Sequence, residues 1–340
     1  MTLTADLLLN LRENYIVVDK YTLICEALKV EFAQFGSLFD STMNKSDGLL
    51  GRICQGIAER KGKLLRPILL MLVAKEWSSV QPAAFRAALT LELLHNASLV
   101  HDDIVDDSDM RRGRPSVRSI YGNKAAVLAG DYLLSTALES VALSGNIEIV
   151  EIVSRLGKQL SEGELLQLFN TQNTDFSEER YYNIIRLKTA SLFSAATRIG
   201  AMTAGAPAED IARMDRLGDL IGLCFQIRDD IFDYYTDDIG KPVGNDMREG
   251  KLTLPVLYVL NNTNDEKVLG IAAKVKEGVA TADEIADIVH QTKQQGGIDY
   301  AKAQMERMTM EAHSLIADFK NAEVKEALTN YIDFISERRS

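Results

Sequence analysis

A chain of 340 residues, 46% hydrophobic and 26% charged, has the composition of a globular protein with a large buried core. Its formal net charge of −11 argues against nucleic acid as a partner, because phosphate backbones are bound by basic surfaces; any phosphate site must be a local concentration of Lys and Arg. Cys25, Cys54 and Cys224 lack CxxC spacing and leave an odd number, no basic signal-peptide start opens the chain, and no run approaches the ~20 apolar residues of a membrane span, so a reduced, cytoplasmic protein is expected.

The six prolines are far apart, and the intervals between them show helical rather than alternating periodicity. Ile24, Ala27, Leu28, Phe32 and Phe35 predict one amphipathic helix over residues 18–39, ended by a polar loop at 40–47. A short helix at 48–58 leads into KGKLLRP, where Pro67 suits the first turn of the next helix. Pro82 opens a helix that ends in carboxylates. After a loop at 108–122, helices are expected near 123–143 and 146–170. Asp175 and Ser177 are candidate caps for the helix carrying YYNIIRLKTASLF, in which Tyr181 and Tyr182 read as core or helix surface. Gly205 and Pro207 stop it, and another helix runs from about Glu209 into a second acidic cluster. Beyond Thr253 the pattern stays helical, with Thr281 and Glu284 as a capping box and a break at Gly296-Gly297. The length alone would allow about two domains. One all-α domain over residues 1–340 is preferred, because two acidic helix ends are useful together only if they face one cavity.

The chemistry is concentrated at residues 95–115, HNASLVHDDIVDDSDMRRGRP. Asp102 and Asp106 stand four apart, as do Asp103 and Asp107, so a helix stacks each pair on one face. Each like-charged pair costs an isolated helix roughly 0.2 to 0.5 kcal/mol. Nothing cationic precedes them within a turn, so neutralisation must come from outside the helix. Mg²⁺ is the natural candidate, since it takes oxygen ligands and is held by one or two carboxylates together with substrate phosphates. Arg111, Arg112 and Arg114 follow at once, and guanidinium groups match phosphate oxygens bidentately. A solvated helix end with local ion pairs would explain this stretch alone equally well. The pattern recurs, however, 127 residues further on, where FQIRDDIFDYYTDD places Asp229 and Asp233 four apart with Asp230 beside the first. Two unrelated solvated termini have no reason to share D-D-Ile-x-D on apolar helices.

KGKLLRP, LLHNASLVHDDIVDDSDMRRGRP, RLKTASLF, FQIRDDIFDY and GKPVGNDMREGKLTLP, in that order, resemble the trans-type isoprenyl diphosphate synthases, of the long-chain octaprenyl and solanesyl kind. The resemblance spans about residues 60–256. It implies an all-helical bundle around a deep cavity, usually a homodimer, joining an allylic diphosphate to isopentenyl diphosphate with Mg²⁺. By the same resemblance Asp102, Asp106 and Asp229 ligate Mg²⁺, with Asp103, Asp230 and Asp233 supporting, the last two as part of the metal group. Arg111, Lys188, Lys241 and Lys251 would hold the allylic diphosphate. Lys63, Arg66, His95 and Arg112 match positions for isopentenyl diphosphate. Thr189 and Gln226 match the polar groups beside the carbocation. One departure is Lys61-Gly62-Lys63-Leu64, where members often have a second glycine and a further basic residue.

Product length is read from the wall above the metals. At ~1.5 Å rise per residue, the side chain five positions before Asp102 stands about 7.5 Å along the helix. Short-chain members of the resembled family often carry an aromatic ring there. This chain has Ala97 and then Ser98, with Leu93 and Leu94 a turn further, so an open upper cavity is expected. That implies a hexaprenyl to decaprenyl product, a quinone side-chain precursor able to partition into a membrane. Other readings are a helical metal phosphohydrolase built on His101-Asp102, a terpene cyclase, and a regulatory subunit without catalysis. The phosphohydrolase needs further histidine ligands in a chain with four His.

Overall fold

A computed structural model describes residues 19–44, 48–171, 175–235 and 243–337. The expected N-terminal helix is two helices, α1 (Lys20–Glu26) and α2 (Lys29–Met43), because the chain turns at Ala27 and Leu28 before continuing. After α3 (Leu49–Ala58), Leu64 takes a left-handed conformation, φ 50°, and aims the chain into α4 (Leu65–Trp77). Every residue of α4 from Leu65 to Ala74 is buried. A helix apolar all round belongs at the centre of a bundle, and α4 is there.

Pro82 occupies the first turn of α5 (Pro82–Val105), where its missing N–H costs nothing. The expected loop after it contains a small antiparallel hairpin, β1 (Met110–Arg111) with β2 (Arg114–Pro115), and a short helix α6 (Val117–Tyr121). Then come α7 (Asn123–Ala142), α8 (Ile147–Thr171) and α9 (Glu178–Ile185), the last capped by the Ser177 hydroxyl. A π-helical turn, Arg186–Ala190, separates α9 from α10 (Ser191–Thr203). The second long acidic helix is α11 (Ala208–Phe232), followed by α12 (Asn245–Arg248) and α13 (Leu254–Asn262). The chain closes with α14 (Glu266–Lys276), α15 (Ala282–Gln294), α16 (Gly297–Leu315) and α17 (Ala322–Glu337). Thr281 and Glu284 form the expected capping box. The fold is all-α, as the proline spacing and periodicity predict.

Small residues set the crossings that matter for the site. A Cβ on Gly222 would stand 2.4 Å from Ala190 Cα, and one on Gly218 would stand 2.4 Å from the Phe193 carbonyl. Glycine at both points therefore lets α11 lie directly on the π turn and α10. At the opposite end, a Cβ on Gly130 of α7 would stand 2.2 Å from His101 Nε2, so His101 is a packing residue at the α5–α7 crossing. The C-terminal helix is tied over the start of α4 by the Tyr331 hydroxyl, which donates to the Leu65 carbonyl at 3.0 Å. Buried apolar residues from α1 through α17 form one continuous cluster.

Candidate active site

The first acidic wall is the end of α5. Helical geometry persists only to Asp106, whose N–H donates to the Asp102 carbonyl at 2.8 Å; Asp107 turns left-handed, φ 49°. The expected stacking of Asp103 over Asp107 therefore does not occur. Asp107 turns away to pair with Arg118 at 3.1 Å. Asp103, 2% exposed, accepts both Nε and Nη2 of Arg111, at 2.8 and 2.5 Å. The hairpin makes this return possible and splits its arginines. Arg112, at φ 51°, goes the other way and donates to the Arg60 carbonyl at 2.8 Å. Its guanidinium lies 3.0 Å from where a Cβ of Gly62 would be, so glycine there opens the seat.

Arg66 is buried on the Phe193 ring, 4.8 Å to its centroid, and Lys63 lies 5.0 Å over Phe334. His95 is held well below its usual pKa by burial and then by the charges of Arg66, Arg112 and Arg111, so it is neutral at pH 7. The structure thus gathers Arg66, His95 and Arg112 into one basic corner. Burial draws the Arg66 pKa down; the charge of buried Glu92 opposes this most, and Asp229 adds to it from the opposite wall.

The second wall is the end of α11. Asp230 is buried and accepts the Tyr181 hydroxyl at 2.6 Å and Gln226 Nε2 at 2.8 Å. Gln226 Oε1 in turn accepts the Thr189 hydroxyl at 2.8 Å. The two carboxylate oxygens of Asp233 accept the backbone N–H groups of Asn245 and Asp246, at 2.8 and 3.1 Å. Asp233 caps α12 and thereby fixes the segment bearing Asp246 and Lys251. Lys251 reaches Glu249 at 2.7 Å and Asp106 at 3.5 Å, joining the two walls. Lys188, on the π turn, is paired with Glu164 at 2.6 Å and with Gln167 at 3.0 Å. Lys188, Thr189, Gln226, Asp230, Asp246 and Lys251 line a cavity of about 160 Å³. Lys241 lies outside the described residues. Ala97 is buried on α5 beside the buried Leu93 and Leu94, while the Ser98 hydroxyl donates to the His95 carbonyl of its own helix at 2.9 Å.

Sequence reasoning missed four participants. Tyr181, expected as core, is a hydrogen-bond partner of the acidic cluster; its place seven residues before Lys188, two turns on the same face, was the available signal. Glu164 and Gln167 sit three apart on α8 and have no motif around them. Asp246 lies in GNDMREGK but carries no spacing cue. Its carboxyl is pushed well above the usual range by burial, then by Asp230 and Asp233.

The carboxylates are short of positive charge. Asp102 is pushed up to about 7 by burial, with Glu164 and Asp106 raising it further against the pull of Lys188. Burial also lifts Asp230 to about 7, with Asp229 and Asp233 adding to it. Such a donor set fits a hard divalent cation. Among the described residues no three His, Cys, Asp or Glu side chains close around one point. A divalent cation held here would need further ligands from water or from substrate oxygens. The arrangement leaves a histidine-ligated phosphohydrolase without ligands, since His95 is wedged among arginines and His101 packs on Gly130.

The family model for polyprenyl synthetase matches residues 47–292. The chain belongs to the polyprenyl synthetase family. Membership makes it a prenyltransferase. The octaprenyl diphosphate synthase of Escherichia coli (strain K12) is 35% identical over 238 residues, 69% of this chain and 74% of that one. A solved geranylgeranyl pyrophosphate synthase from Bacteroides thetaiotaomicron is 45% identical, with a TM-score of 0.83 over 94% of this chain and 99% of that one. A polyprenyl synthase from Caulobacter crescentus CB15, solved in complex with calcium and isoprenyl diphosphate, is 28% identical with a TM-score of 0.87, covering 94% and 98%. The polyprenyl synthetase motifs are the same stretches that build both walls and the basic corner.

Proposed function

We propose that this prenyltransferase condenses isopentenyl diphosphate with an allylic diphosphate, repeatedly and with Mg²⁺, to give an all-trans polyprenyl diphosphate in the hexaprenyl to decaprenyl range. The observation that carries the reading is the pair of carboxylate walls, joined through Lys251 and Asp106, beside the corner of Arg66, His95 and Arg112. Asp102, Asp106 and Asp229 would hold the metal, which when bound neutralises the charge that develops on the departing diphosphate. Asp103 and Asp230 orient Arg111 and Gln226, and Asp233 fixes the segment that carries Lys251.

The chain's own cations then divide the substrates. Arg111, Lys188 and Lys251 lie with the carboxylates and would grip the allylic diphosphate. Lys63, Arg66, His95 and Arg112 would hold isopentenyl diphosphate, which has to bind without being ionised. Neutral His95 serves there as a hydrogen-bonding group. Thr189 and Gln226 present oxygen dipoles to the allylic cation, and the released diphosphate accepts the final proton. Ala97 supports the long product, because a methyl side chain there would leave room along the wall that an aromatic ring would fill. A homodimer is supported by α7, whose outward face leaves Leu128 68% and Leu138 47% exposed. This helix is apolar and long enough to cross a membrane, yet one side of it packs on α5, so a second copy in the cytoplasm is the better cover.

The test is direct. Labelled isopentenyl diphosphate is supplied with each short allylic primer and Mg²⁺, and the dephosphorylated products are sized. Products of hexaprenyl to decaprenyl length are expected, and Ala97→Tyr should cut them to farnesyl or geranylgeranyl length. A wild type that stops at either short product, or a tyrosine variant that still makes the full length, overturns the chain-length assignment.

A further inference from the structure

A second concavity, of about 400 Å³, opens on the far side of the π turn, between α8, the start of α10 and the N-terminal half of α11. Arg155, Arg186, Arg198 and Arg216 line it against two carboxylates, Asp215 and Asp219. For a chain of net charge −11 that is a local reversal of sign. Asp219 is shared by Arg186 at 3.0 Å and Arg216 at 2.9 Å, and Arg216 also pairs with Glu311 at 2.8 Å. Asp215 accepts the Ser194 hydroxyl at 2.5 Å. Arg155 has an exposed i,i+4 pair with Glu151 at 2.8 Å, which is weak in water. Arg198 makes no hydrogen bond or ion pair among the described residues. Two guanidinium forks therefore border the concavity without a buried counter-charge.

We propose that this concavity binds a diphosphate group and communicates with catalysis through the π turn. Planar guanidinium forks match phosphoryl oxygens bidentately, and a diphosphate offers enough of them for several arginines at once. The link to the active site is covalent and short. Arg186 and Lys188 belong to the same five-residue turn, the first lining this concavity and the second the catalytic cavity. π turns are short, uncommon insertions that recur at functional sites; this one is closed by the Ser191 N–H on the Arg186 carbonyl, and the Ser191 hydroxyl also donates to the Leu187 carbonyl at 2.6 Å. An anion that draws Arg186 from Asp219 shifts that turn, and with it Lys188 and Thr189. Along α11 the two sites are separate, since Asp219 and Asp229 stand about 15 Å apart at helical rise.

The ligand could arrive as free inorganic diphosphate or as the headgroup of a prenyl diphosphate. Equilibrium dialysis of labelled inorganic diphosphate against the full chain, in EDTA, measures the site without requiring turnover. Arg155→Ala/Arg198→Ala should weaken binding about tenfold or more, with Arg198→Lys between it and wild type. Unchanged far-ultraviolet circular dichroism keeps the comparison valid, and Arg198→Lys alone serves if the double variant misfolds. At constant free Mg²⁺ and saturating substrates, added diphosphate should lower wild-type kcat and leave that of the double variant unaffected. Displacement of the label by a short prenyl diphosphate at tenfold lower concentration than by inorganic diphosphate identifies the headgroup; equal displacement identifies the free anion. Equal affinity in wild type and both variants, or inhibition that is alike in both and purely competitive with the allylic substrate, overturns the proposal.

Discussion

Asp102 and Asp230 are held near neutrality by a shared cause: each has lost water and faces other carboxylates. The reaction proposed here uses that deficit, because a bound cation restores the charge balance where the leaving group develops its own. Asp102→Asn and Asp229→Asn should each lower kcat by roughly 10² or more, the scale of losing one stabiliser of transition-state charge. Single-turnover measurement at saturating Mg²⁺ checks this, and near-wild-type rates in both variants would reject the shared site. These aspartates were legible in the sequence because four-residue spacing is a local property of a helix. Tyr181 was not, since its partner Asp230 is 49 positions away and only the packing of α9 against α11 brings them together. Asp233 shows the opposite limit. Its spacing placed it in the acidic cluster, but that its oxygens also accept backbone N–H groups of Asn245 and Asp246 was not readable, since no periodicity announces the approach of that segment.

At the scale of the element, α8 offers a controlled comparison between two of its glycines. A Cβ on Gly163 would stand 2.7 Å from Lys188 Cγ, whereas one on Gly157 meets nothing within 4 Å. Gly163→Ala should displace Lys188 and reduce kcat about tenfold, the loss expected when one positioned charge is misplaced. Gly157→Ala should leave kcat alone and stabilise the protein by about 0.5 to 1 kcal/mol, since alanine loses less backbone freedom in a helix. Thermal unfolding and steady-state kinetics on both variants check the pair; equal effects on kcat would show that Gly163 does not set the lysine. Helices as a class were readable from proline spacing and apolar period. The break at Ala27, the hairpin and the π turn were not, because the residues there are compatible with continuous helix or loop, and the decision falls to crossings such as Gly222 on Ala190.

At the scale of the whole molecule, the outward face of α7 leaves Val127, Leu128, Leu134 and Leu138 exposed. Leu128→Glu/Leu138→Glu would place two charges in the proposed contact between copies and should convert a dimer to a monomer in sedimentation equilibrium. A wild-type chain that sediments as a monomer would remove the basis for that contact.

The pairs Lys188–Glu164, Lys251–Asp106 and Arg111–Asp103 give the resting pocket an internal salt: its fixed cations already have fixed anions. A diphosphate entering by itself would take the cations and strand three carboxylates, adding to the excess already carried by Asp102 and Asp230; a metal entering first relieves that excess. Anion and counter-ion arriving together exchange these partners at once and leave no carboxylate bare. The pocket should therefore behave as an ion exchanger, with each component raising the affinity for the other by the same factor. Calorimetric titration of an allylic diphosphate with and without Mg²⁺ should show a gain of about tenfold or more at this site, and independence of the two would mean that the resting pairs persist in the loaded enzyme.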